Sequence, residues 1–99
     1  KKIKEEEGDN MNYAEKIKMK QGKSDSNELT EIDEIYVSGF GWKSKAFYYD
    51  YLTIYPSTIA VNIYPYPKLV KQLSSNNEKY VKSEPNEYGY DNLLCLPRV

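Results

Sequence analysis

The chain contains no histidine. That removes the commonest general base, metal ligand and physiological pH switch at once. Ser-His-Asp and Cys-His catalysis, zinc hydrolases and histidine-dependent strand cleavage go with it. Cysteine is almost as scarce, Cys95 being the single example, which excludes an intrachain disulfide or a multi-cysteine zinc site and fits a reducing compartment. Its setting between leucines predicts a buried structural thiol, since a nucleophile would need a lysine or a helix terminus to lower its pKa. Arg98 is the only arginine. Bidentate recognition of phosphate, carboxylate or guanine is therefore poorly provided for, and the lysines act as point charges. A recombinase-type tyrosine nucleophile would lack basic partners around its phosphate.

Long apolar runs are missing too. None approaches the roughly 20 residues of a membrane span, and the start carries no signal-peptide core, so the expectation is a cytoplasmic protein with no membrane partner. Gly39-Phe40-Gly41 lacks the third glycine of a dinucleotide fingerprint and the lysine spacing of a P-loop, and predicts turn chemistry. The acidic residues fall in polar stretches, and a chain this short leaves little wall for the sugar cleft that a pair of catalytic carboxylates would serve. No motif calls for a cofactor or a metal, and the sequence reads as that of a protein that is not an enzyme.

What is present is tyrosine. Eleven tyrosines stand among 99 residues that are 39% hydrophobic, so the aliphatic core must be small, with rings supplying part of the packing. The length suits one domain. Fourteen basic residues against 15 acidic ones remove the overall positive field that nonspecific duplex binding usually shows. The richness in Lys, Asn, Ile and Tyr is also what A+T-rich codons produce.

The stretch 46–64, AFYYDYLTIYPSTIAVNIY, organises the expectation. Two runs rich in aromatic and β-branched residues flank Pro56-Ser57, and side-chain alternation predicts a β-hairpin with Ile54 opposite Ile59, Leu52 opposite Val61 and Tyr49 opposite Tyr64. Every aliphatic residue then falls on one face, leaving Tyr49, Tyr51, Tyr55 and Tyr64 on the other. Residues 1–27 read as a polar arm with a short helix over about 12–20, although residues 17–19 also alternate as a strand would. Residues 28–99 read as the single domain. A helix and a strand compete over 28–37; a strand from 32 to 38 is preferred because a third strand would support the hairpin. Residues 38–45, SGFGWKSK, read as a loop. Residues 68–73 read as one or two helical turns, 80–81 as extended, and 93–96 as a short edge strand. The expected fold is a small α+β domain: an antiparallel three- to four-stranded meander around the 46–64 hairpin, with one or two short helices and the polar N-terminal arm.

Binding outranks catalysis on this composition, because tyrosine is enriched at protein interfaces. The first functional reading is a noncatalytic protein–protein interaction module, of the kind a phage or mobile element encodes as a small inhibitor or regulator. It would present Tyr49, Tyr51, Tyr55 and Tyr64, the loop residues Trp42, Lys43 and Lys45, and the acidic Glu31, Asp33 and Glu34 to a protein partner. The alternative is a single-stranded nucleic-acid binder, with Tyr49, Tyr51 and Tyr64 as stacking platforms and Lys43, Lys45, Lys68 and Lys71 along the backbone. A tyrosine face covered by the rest of the chain, or by a second copy in a homodimer, is the competing structural account.

Overall fold

The computed structural model describes residues 11–85 and 91–99; the first ten residues of the expected arm, and residues 86–90, lie outside the described residues. The fold is α+β; among the described residues it has a four-stranded mixed sheet, a two-stranded antiparallel sheet and one α-helix. Strand order in the larger sheet is β3-β2-β1-β4, formed by β1 (Asn12–Met19), β2 (Ile32–Val37), β3 (Gly41–Ser44) and β4 (Ile59–Val61).

The first departure from expectation is β1. Residues assigned to a polar arm supply an inner strand, antiparallel to β2 on one side and parallel to β4 on the other. Its buried side chains are Ala14, Ile17 and Met19, a spacing of three then two that no regular strand produces. A bulge accounts for it: Ala14 faces Val37 but Lys16 already faces Tyr36, so Glu15 is an extra residue and the inward parity switches there. Strand β2 falls where the preferred reading placed it, and a second register shift between Lys18 and Met19 lets Ile32, Ile35 and Val37 all reach the core.

Strand β3 occupies much of the stretch read as a loop. The turn before it carries a hydrogen bond from Phe40 N to Val37 O of 2.9 Å, with Gly39 at φ +85°, the conformation that a type II turn requires at its third residue. Space adds a second demand. A Cβ on Gly39 would lie 2.8 Å from Asn12 Nδ2, which donates to Ser38 O at 2.7 Å and ties the turn to the start of β1.

The expected 46–64 hairpin does not exist; its first half is α1 (Lys45–Ile54). Ser44 caps the helix, its hydroxyl accepting from Phe47 N at 3.0 Å, which satisfies one of the unpaired first-turn donors. Lys45, Tyr48 and Leu52 are the buried helical residues, three and four apart as one helical face demands. Tertiary packing of that face overrides the strand preference of the aromatic run. After a turn at Pro56 and Ser57 the chain enters β4, which pairs in parallel with β1 through Asn12–Ile59, Tyr13–Ala60 and Ala14–Val61. A parallel partner needs a crossover connection. Helix α1 is that crossover, carrying the chain from one edge of the sheet to the other, so the sheet is mixed: β1, β2 and β3 form an antiparallel meander, built ahead of residues 46–64 and not around them, and β4 adds in parallel.

Residues 68–73, expected as helical turns, instead form β5 (Leu69–Leu73), paired antiparallel with β6 (Lys79–Ser83); the extended reading at 80–81 falls inside β6. The expected edge strand at 93–96 is a 3-10 turn, Asn92–Cys95, capped by the Asp91 carboxylate accepting from Leu93 N. The strand-like pairing comes one step later, where Ile17 N donates to Pro97 O at 2.9 Å and Val99 N to Ile17 O at 3.0 Å. Cys95, expected buried, is exposed. The buried leucines of that run are Leu93 and Leu96.

One face of the larger sheet is covered by α1, the β5–β6 hairpin and the C-terminal turn. The core between them joins Ala14, Ile17, Ile35, Val37, Ile59 and Val61 to Tyr48, Leu52, Leu69, Val81 and Leu93. Tyr48 is fully buried and its hydroxyl lies 3.1 Å from the carbonyls of Ile35 and Gly41, so the one polar atom of the ring is satisfied by the sheet. Burial pushes its phenol pKa well above the ordinary value. No helix among the described residues is long and apolar enough to cross a membrane.

Candidate functional site

With one sheet face covered, the remaining chemistry divides between two aromatic surfaces. The first runs along a flank of α1. Phe47, Tyr51, Ile54 and Tyr55 recur at intervals of three and four residues, which places them on one stripe. Phe40, arriving from the β2–β3 turn, stands 6.1 Å from the Phe47 ring and 4.9 Å from the Tyr51 ring, both edge-on, and Tyr51 continues to Tyr55 at 5.0 Å. The inner rings are partly buried against the core, whereas Phe47, Ile54 and Tyr55 are 38, 68 and 53% exposed. The Lys43 ammonium over the Phe47 ring, at 5.4 Å, is the cation found on these rings among the described residues.

The second surface is the opposite face of the sheet, which no helix or strand among the described residues covers. Register places Lys16, Tyr36 and Trp42 in one row across β1, β2 and β3, and Lys18, Glu34 and Ser44 in a parallel row. Tyr36 and Trp42 meet edge-on at 5.5 Å. Two ammonium groups sit over their π faces: Lys16 Nζ at 4.7 Å from the Tyr36 ring, and Lys18 Nζ at 4.9 Å from the Trp42 ring. Glu34 partly offsets this charge through an ion pair with Lys18 at 3.8 Å. Further along the same side, Tyr13 meets Tyr66 at 6.2 Å, and Tyr66 meets Tyr64 at 6.0 Å. Tyr64 precedes a cis proline, Pro65, and is 75% exposed.

The residues singled out from the sequence are thus dispersed. Tyr51, Tyr55 and Lys43 join the helix flank. Trp42 and Glu34 join the sheet face, and Tyr64 stands beyond its far edge. Tyr49 lies on the other side of α1, beneath the ammonium groups of Lys71 and Lys79 at 5.3 and 5.4 Å. Lys45 is buried, donating to Ile32 O at 3.0 Å and pairing with Glu78 at 3.0 Å, so it serves the fold. That pairing holds the Glu78 carboxyl below its ordinary pKa, with Lys20 assisting. Glu31 accepts from the Ser26 hydroxyl and pairs with Lys23, and the Ser26 hydrogen bond is the main cause of its lowered pKa. Glu31 and Glu34 therefore each carry a lysine partner, and Asp33 is the exposed acid of the three. Among the described residues no group of three or more acidic or cysteine side chains gathers to hold a metal.

Phe40, Phe47, Tyr36, Lys16 and Lys18 complete the two surfaces without standing out as site residues in the sequence. The four-residue spacing of Phe47, Tyr51 and Tyr55 is the signal available for the flank. No local pattern marks Lys16 against Tyr36, because that row exists only once the bulge has set the register. Comparison with family models, with curated proteins and with solved structures returns no match. The two surfaces are therefore interpreted from their own chemistry.

Proposed function

We propose that the chain is a noncatalytic protein-interaction module whose contact surface is the exposed flank of α1, and that it acts by occupying a partner, as a small inhibitor or regulator does. The observation that supports this is the unbroken series of ring contacts Phe47–Phe40–Tyr51–Tyr55 with its outer members open to solvent. Aromatic side chains provide large contact area with few torsions to freeze, and they dominate the energetic centres of protein interfaces. Residues three and four apart on one helical stripe are the anchors by which a helix enters an apolar groove. The inner rings are already fixed by the core, so ordering costs on binding are small.

The test is affinity capture from the source cells with the intact chain and with a Phe47→Ala, Tyr55→Ala double variant. Phe47 and Tyr55 are 38 and 53% exposed and neither belongs to the buried core, so the variant keeps the fold with a modestly lower unfolding midpoint. A captured protein should then be lost or weakened at least tenfold with the variant, as expected when two aromatic anchors are removed. Equal capture by both proteins would sink the proposal.

A further inference from the structure

The uncovered sheet face differs in kind from the helix flank, and we infer that it is a binding site for single-stranded nucleic acid, with Trp42 and Tyr36 stacking bases and Lys16 and Lys18 holding phosphates. Rings from two adjacent strands meet edge-on, and each has an ammonium group over it. That is poor preparation for a protein partner, because lysine is depleted at the centres of protein interfaces. It is good preparation for a ligand that alternates planar rings with anions.

The magnitudes favour the exchange. An exposed cation–π pair is worth a factor of about 2–5 in an equilibrium constant, whereas stacking a base on an aromatic side chain is worth a factor of about 5–150. A base stacked where each ammonium lay therefore outweighs the cation–π attraction it replaces, and the displaced lysine swings to the phosphate beside that base. Glu34 on β2 opposes binding, and its ion pair with Lys18 must open; Glu15 on β1, the bulged residue beside Lys16, is a second acid close to the lysines. Affinity should accordingly be modest and readily reversed by salt. The Tyr13–Tyr66–Tyr64 series extends the same side of the sheet and would accept the strand beyond the lysines. This site stands apart from the helix flank.

Trp42 is the only tryptophan, so its emission reports this site alone. Titration of the intact chain at low salt with a short oligothymidylate or oligouridylate should quench Trp42 saturably, while inorganic polyphosphate, which has no bases, should not. Fluorescence anisotropy of the labelled oligonucleotide should give a logarithmic salt slope of about −1.4, the value for two phosphates on a single strand. Lys16→Ala with Lys18→Ala should weaken binding at least tenfold and flatten that slope. The Phe47→Ala, Tyr55→Ala variant should bind the oligonucleotide as the parent chain does, which separates this site from the protein surface. No quenching up to about 100 µM of either polymer, the weak end of nonspecific affinities, would overturn the inference. Equal quenching by polyphosphate, or unchanged binding by the double lysine variant, would do the same. So would loss of a captured protein, in place of an oligonucleotide, from the lysine variant.

Discussion

The helix flank and the uncovered sheet face both expose aromatic rings, yet their neighbours make them different surfaces. On the flank, rings touch rings, and Lys43 at one end is the cation found over them among the described residues. On the sheet, two rings lie under two lysines, with Glu34 in the next row. What decides the chemistry a tyrosine offers is the residue beside it in space. A ring backed by other rings suits an apolar partner, and a ring beneath a mobile cation suits a planar, anionic one.

Both surfaces stand on one core, and the most damaging test of the comparison is to remove their common support. Leu52 is 3% exposed, next to the fully buried Tyr48 of the same helical face. Leu52→Ala should destabilise the chain by about 2–5 kcal/mol, the range for truncating a buried leucine. In urea, Trp42 emission from the sheet face and helical circular dichroism from α1 should shift to the same lower midpoint, as expected of a single cooperative unit. Two separate midpoints would mean that the two surfaces fold independently.

A smaller change should separate them. Ser44 ends β3, in the row of Lys18 and Glu34, and also caps α1. Ser44→Ala removes the acceptor for Phe47 N and should cost about 1 kcal/mol. The loss belongs to the first turn of the helix, so amide exchange should quicken around Phe47 while Trp42 emission keeps its native maximum. A shifted Trp42 spectrum would show that the cap also holds the sheet face.

How far the sequence reveals these surfaces depends on what sets each of them. The α+β class and strand β2 are legible, since a run such as Ile35-Tyr36-Val37 ended by Gly39 reads the same way alone or in the fold. Helix α1 is not, because Phe47 to Tyr55 satisfies a two-residue and a near-four-residue period together, and only burial of Tyr48 and Leu52 against the sheet arbitrates. Strand β1 fails for the opposite reason. Its bulge at Glu15 places Ala14 and Ile17 three apart, imitating a helical face, and its lysines imitate a solvated arm while lying over Tyr36 and Trp42. The helix flank is thus half visible in the sequence, through Tyr51, Tyr55 and Lys43, and the sheet face only through Trp42 and Glu34.

The gentlest perturbation is acid, and part of its effect falls on the helix side. The Lys45 ammonium, held at the start of α1, keeps the Glu78 carboxyl ionised below its ordinary pKa of 4.5. The unfolded chain therefore takes up this proton before the folded one does. Unfolding free energy should hold its full value above about pH 4.5 and fall as the pH drops through the lower folded pKa. Glu31, lowered chiefly by the Ser26 hydroxyl, contributes in the same direction. Glu78→Gln should flatten the decline without removing it, because the Glu31 contribution remains. The same substitution takes the charge from a contact joining the β5–β6 turn to α1, so amide exchange in that turn should rise while the Lys16–Tyr36–Trp42 row is unchanged. A variant whose stability declines in acid as steeply as the parent's would show that the Lys45–Glu78 pair does not hold the helix side together.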